Sequence, residues 1–178
     1  MQVTPMKSIH SVADTVRDRM QKEAMEVKAS IYHRQLVDQM RIVLANAYLF
    51  YYKTHAYHWN IEGSNFPQYH EFLEKIYTTV YEKLDATAEQ IRALGGYAPS
   101  TLTQILVSSS VHESQNVRDP KEMFKILSVD NEKIIGDMMA AYRLAEQANE
   151  LGLSNYLQDR INDHKKLGWM IASTIKGE

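Results

Sequence analysis

The sequence predicts an all-α protein built as a bundle of four long helices. Prolines and glycines are few, four and seven among 178 residues, and they seldom interrupt the periodic stretches. No stretch alternates apolar and polar residues with the period of two that a half-buried strand requires. The chain is long enough, and with 44% hydrophobic residues apolar enough, to bury one core, so a single domain is expected.

Apolar residues at helical spacing place the first two core helices. The first is predicted over residues 31–60, behind an N-terminal tail or short amphipathic segment over residues 1–30. A turn at residues 63–65 follows, and Pro67 suits the first position of the second helix. That helix is expected to run without interruption to the Gly95-Gly96 pair. The core domain would then comprise residues 31–178.

A long crossover separates these helices from the last two. Residues 97–118 contain a short apolar piece, expected to form a short helix, and a polar stretch. Asp119 and Pro120 mark the start of the third helix, Gly152 its predicted end, and Ser154 the predicted cap of the fourth. Two helical hairpins joined by one long crossover are therefore predicted.

Composition excludes several kinds of site. The chain has no cysteine, which rules out disulfides and thiolate ligands, so any metal must be held by His, Asp or Glu. A net charge of -2 gives no general attraction to nucleic acid or anionic membranes. The apolar stretch 43–52 is too short to span a bilayer and no secretory leader is recognisable, so a cytoplasmic protein is expected.

Four metal-binding side chains share one face of the second predicted helix. His70 and Glu74 are four residues apart, as are Asp85 and Glu89, so each pair can converge on one ion. The pairs themselves are separated by roughly 16 Å of helical rise, so one helix cannot close the site. Two copies packed antiparallel about a two-fold axis near residues 79 and 80 would bring the halves together and build two identical sites.

His58 lies near the end of the first helix and can reach the His70 end of the second. Two imidazoles and three carboxylates would suit iron or manganese, and zinc would also bind. Other interpretations remain open at this point. Each pair taken singly is commonly solvated helix surface, and a lone histidine on an apolar stripe is commonly a hydrogen-bonded core residue.

The same residues resemble a known signature. It comprises the stretches 58–66 (HWNIEGSNF), 70–74 (HEFLE), 85–89 (DATAE) and 94–96 (LGG), with Trp169 near the end. These motifs are similar to those of the Dps-type mini-ferritins, the family of DNA-binding proteins from starved cells, and the similarity in pattern extends over residues 35–175. The chain has no E-x-x-H motif, which disfavours the di-iron site of larger ferritins, held within one bundle.

The resemblance implies a ferritin-like fold assembled as a dodecameric cage. The cage would oxidise Fe(II), preferably with hydrogen peroxide, at two-fold interfaces and store ferric oxide, which protects against oxidative damage. By position, His58, His70 and Glu74 match ligands of one subunit, while Asp85 and Glu89 match ligands of its partner. Glu74 departs from the family's usual aspartate, so the metal spacing or the preferred oxidant could differ.

Two further expectations concern radicals and DNA. Trp59 and nearby tyrosines could quench radicals formed from peroxide and iron, although packing at helix and subunit contacts is the commoner role of such aromatic residues. The alternative function is a DNA-coating structural protein with incidental metal binding. Residues 1–30 give it little support, because five Lys or Arg against four Asp or Glu leave a net charge of only +1. A cage that binds zinc or manganese without turnover is a third possibility.

Overall fold

The structure is a computed structural model of the chain, and it describes residues 9–115 and 117–176, with side chains from Asp14 onward. All regular secondary structure in these ranges is helical. The elements are α1 (Ile9–Asn60), α2 (Phe66–Tyr81), α3 (Leu84–Ala93), α4 (Leu102–Ser108), α5 (Pro120–Gln147) and α6 (Leu151–Thr174). The predicted four-helix bundle is confirmed, with α2 and α3 together forming its second helix and α4 lying in the long crossover.

Helix α1 is much longer than predicted. It runs unbroken for 52 residues from Ile9, so the predicted start at residue 31 is wrong. The side chains of residues 14–31 are exposed, and the first buried side chain of the described part of α1 is Leu36. The division of the chain at residue 30 into a tail and a domain stays a prediction. Despite the length of α1, no helix in the described ranges is apolar over a sufficient length to cross a membrane.

The second bundle helix is interrupted, contrary to the prediction of one continuous helix. At Glu82 and Lys83 the backbone stays right-handed but tightens, and the Lys83 N–H donates to the Val80 carbonyl, three residues back. The Thr87 hydroxyl donates to the Lys83 carbonyl at 2.7 Å, and Tyr156 reaches the same oxygen at 3.5 Å. Side-chain hydroxyls that compete for a helical carbonyl can bend a helix. The sequence has no Gly or Pro at this point, so it did not predict the break.

Helices α3 and α5 are both followed by a residue in the left-handed conformation, which ends the helix. After α3, Gly95 adopts a left-handed φ of +77° and Gly96 donates to the Ile91 carbonyl, so the predicted stop is confirmed. After α5, Asn149 takes the left-handed position with φ +59°, and Glu150 donates to the Ala145 carbonyl. The predicted stop at Gly152 is therefore wrong, because asparagine also tolerates this conformation.

The start of α6 differs accordingly. Its N-cap is Glu150, and Ser154 lies inside the helix, where its buried hydroxyl has no hydrogen-bond partner. The predicted cap at Ser154 is thus wrong. Asp119, by contrast, caps α5 as expected, since its carboxylate accepts from the N–H groups of Lys121 and Glu122.

Buried polar groups fasten the crossover to the bundle. The Asn46 amide of α1 donates to Ser110 at 3.1 Å and to the Asp137 carboxylate of α5 at 2.8 Å. Lys53, 7% exposed, donates at 2.5 Å both to the His112 carbonyl and to Asp130. Each buried donor therefore has acceptors from the crossover and from α5, as burial of polar groups requires.

His164 makes the fold sensitive to acid. Burial, together with the nearby positive charge of Arg160, lowers the pKa of His164 from 6.5 to about 4, although the carboxylate of Asp163 opposes the shift. The unfolded chain therefore takes up this proton first as the pH falls, and stability is lost from about pH 6.5 down to pH 4. Between pH 7 and pH 5 the unfolding free energy of the unmodified protein should fall by about 2 kcal/mol more than that of the His164→Gln variant.

Urea unfolding of both proteins at one protein concentration measures this difference. The same pH dependence in the variant and the unmodified protein would contradict the assignment.

Candidate metal centre

The turn between α1 and α2 brings two predicted ligands together. Gly63, with φ +121°, provides the left-handed residue of this turn, and its carbonyl accepts from the Phe66 N–H at 3.1 Å. Because the turn is short, the last turn of α1 lies beside the first turns of α2. The rings of His58 and His70 stack there with centroids 3.7 Å apart and planes 21° apart.

Reciprocal hydrogen bonds fix the orientation of both imidazoles. The Nδ1 atom of His58 lies 2.9 Å from the His70 carbonyl oxygen, and Nδ1 of His70 lies 2.9 Å from the His58 carbonyl oxygen. A carbonyl oxygen can only accept, so we assign the proton to Nδ1 in both rings. With the proton on Nδ1, the neutral form of each ring keeps the lone pair of its Nε2, the arrangement common among metal-binding histidines.

A third histidine, absent from the sequence prediction, stands next to this pair. His55 lies one turn before His58 on α1, and the two ring centroids are 6.0 Å apart. Its ring stacks on Tyr77 at 4.0 Å and contacts Trp59 at 4.2 Å. Burial lowers the pKa of His55, and the neighbouring His58 lowers it further. The i, i+3 spacing of His55 and His58 in the sequence could have indicated that the two histidines share one face of the helix.

Aromatic side chains form a continuous contact network around the histidines. Tyr77 lies 5.2 Å from His58, and Tyr51 lies 6.3 Å from Tyr77 and 5.1 Å from Tyr81. Trp59 is 57% exposed, so it combines contact with His55 and access to solvent.

The predicted carboxylates are distributed over two helices. Glu74 is exposed on α2, one turn after His70, while Asp85 and Glu89 are exposed one turn apart on α3. In the described ranges no three His, Asp or Glu side chains of one chain are close enough to hold a metal ion. The chain therefore brings His58 and His70 together and does not gather all five predicted ligands by itself.

A groove runs alongside Asp85. Its walls come from α1, from the junction of α2 and α3, and from α4, and they include Tyr48, Tyr81, Asp85 and Ile105. Apolar side chains remain exposed on α4, where Leu102 is 65% and Val107 is 80% exposed. Carboxylate and apolar surface thus lie side by side.

Comparison with known proteins places the chain in a family. Residues 37–177 match the model of the ferritin-like domain. The chain is 30% identical over 137 residues to an uncharacterized low temperature-induced protein of Nostoc sp., with 76% of each chain covered. It is 31% identical over 130 residues to the DNA protection during starvation protein of Halobacterium salinarum, covering 70% of this chain and 69% of the relative.

Solved structures agree with this placement. The Dps protein of Vibrio cholerae O1, described as a member of a broad superfamily of ferritin-like diiron-carboxylate proteins, superposes with a TM-score of 0.79 at 27% identity, covering 82% of this chain and 92% of that one. Dps from Staphylococcus aureus gives a TM-score of 0.78 at 28% identity, with 82% and 97% covered. The chain therefore belongs to the ferritin-like family, as a Dps-type mini-ferritin.

Proposed function

We propose that this protein oxidises Fe(II) at sites shared between two copies of the chain and stores the ferric oxide inside a dodecameric cage. One observation carries the proposal most strongly: His58 and His70 are locked by each other's backbone carbonyls with both Nε2 lone pairs kept for a ligand. In this proposal His58, His70 and Glu74 of one subunit act together with Asp85 and Glu89 of the other.

The donor set agrees with iron as the substrate. Two imidazole nitrogens and three carboxylates are ligands of intermediate and hard character, which suit Fe(II) and Fe(III). Carboxylates also offset the extra charge that appears on oxidation. Zinc or manganese could substitute, since zinc usually binds such ligands more tightly than Fe(II).

The proposed oxidant is hydrogen peroxide. Two Fe(II) ions each give one electron, the O–O bond of one peroxide breaks, and two protons are taken up, so that two Fe(III) ions and two water molecules result. Two-electron reduction avoids release of hydroxyl radical. Where only one Fe(II) ion reacts, we infer that Trp59 donates the missing electron, and its contact with His55 beside the proposed ligand His58 supports this inference.

The shared site needs a partner surface next to the carboxylates. The groove beside Asp85 and the exposed apolar side chains of α4 offer one, since exposed apolar surface is favourable to bury between subunits. A two-fold pairing would place each copy's histidines near the other copy's α3 and build two identical sites. A cytoplasmic location is part of this proposal.

Removal of the partner-side carboxylates should abolish rapid oxidation. We expect Asp85→Ala combined with Glu89→Ala to lower the initial rate of Fe(II) oxidation by peroxide by about a hundredfold, because two of five ligands are lost. The measurement is stopped-flow ferric absorbance after anaerobic addition of Fe(II). The matched control is Glu71→Ala combined with Glu132→Ala, two exposed carboxylates that lie outside the groove beside Asp85. Equal rates in the two double variants would contradict the site.

Subunit sharing itself can be tested by complementation. His70→Ala is defective in one half of the site, and Asp85→Ala with Glu89→Ala is defective in the other half. When the two proteins are co-assembled in equal amounts, half of the dimers are mixed and each mixed dimer has one intact site. About a quarter of the unmodified oxidation rate should therefore return. No recovery in co-assembled protein, with each variant inactive alone, would argue for a site within one chain.

Binding to DNA should be weak at physiological salt. Among residues 14–30, four basic side chains are matched by four acidic ones, so this exposed helix has no net charge. Phosphate contacts from several unmatched Lys or Arg are needed for retention that resists salt. A gel-shift with duplex DNA should show no complex at physiological salt, and tight retention there would favour the DNA-coating alternative.

A further inference from the structure

The N-terminal part of α1 carries an apolar stripe that the bundle does not cover. The stripe consists of Met20, Ala24, Val27 and Ile31, with Val16 one turn before it. Met20 is 65%, Val27 61% and Ile31 43% exposed. The steps of four, three and four residues are those of the a and d positions of a coiled coil.

This part of α1 needs an explanation beyond the family fold. The match to the ferritin-like domain begins only at residue 37, after the stripe. A helix that packs against nothing is marginally stable in water, and most helical stability comes from packing an apolar face. The stripe is therefore expected to meet another surface in the working protein.

The charges around the stripe favour a second copy of the same segment. Basic and acidic side chains balance over residues 14–30, which disfavours both a nucleic acid and an anionic membrane. With Met20 and Val27 as d positions, Glu23 occupies a g position and Lys28 the following e position. In a parallel pair such residues face each other across the seam, so two copies would form two opposite-charge contacts.

We propose that residues 16–31 of α1 pair with the same segment of a second copy as a short parallel coiled coil. The seam spans only about two heptads, too few for a stable pair of free helices. Pairing therefore depends on copies being held together, and this step rests on the homo-oligomer proposed above. Tethering raises the effective concentration of the two segments and makes a short seam sufficient.

Cysteine cross-linking of the full chain tests the pairing, because the natural sequence contains no cysteine. Met20→Cys and Val27→Cys place a thiol on the seam, whereas Lys22→Cys and Ala29→Cys place it on the opposite face of the same turns. Under diamide, seam variants should form disulfide-linked dimers about tenfold faster than opposite-face variants, as read on non-reducing gels. Val27→Asp added to Met20→Cys should reduce its rate to that of Lys22→Cys.

Equal cross-linking rates on the two faces would overturn the pairing. Sedimentation velocity of the same samples separates this result from the proposed function. An intact oligomer with no preference for the seam contradicts only the coiled coil. A monomer would contradict both the shared iron site and the pairing, because the pairing depends on copies being held together.

Discussion

Burial of helix α1 is the constraint on which the rest of the structure depends. From Leu36 onward this helix packs against α2, α3, α4 and α5, so even polar side chains of its middle turns lie inside the protein. A buried lysine or asparagine is tolerated only when acceptors surround it. Asn46 and Lys53 therefore need the acceptors that the crossover and α5 supply. The same crossover contains α4, which forms one wall of the groove at Asp85.

Much of the fold could be predicted because its signals are local. The apolar stripes of α1, α5 and α6 and the Asp119 cap and Gly95 stop follow from helical periodicity and backbone conformation. One error involves a tertiary contact, because Tyr156, far away in the sequence, reaches the Lys83 carbonyl at the break between α2 and α3. The error at the end of α5 is local, since Asn149 takes the left-handed position although Gly152 was the stronger local signal.

The candidate site, too, could be predicted from the sequence only in part. Spacing alone indicated which residues share a face, and it located His58 and His70 correctly beside one turn. It could not reveal that each ring donates to the other's backbone, because that contact depends on how closely α1 and α2 approach. It also missed His55, whose significance lies in its stacking on Tyr77 and Trp59. The resemblance to mini-ferritins supplied the chemistry, and the hydrogen bonds explain how the chain orients two of the proposed ligands.

The break between α2 and α3 has a consequence for the paired sites. In the proposed dimer each chain contributes histidines to one site and Asp85 and Glu89 to the other, and residues 82 and 83 lie between the two contributions. The bend there sets the distance from one site to the other. Any substitution that alters this bend would therefore affect both proposed sites of the pair at once, because each chain contributes ligands to both.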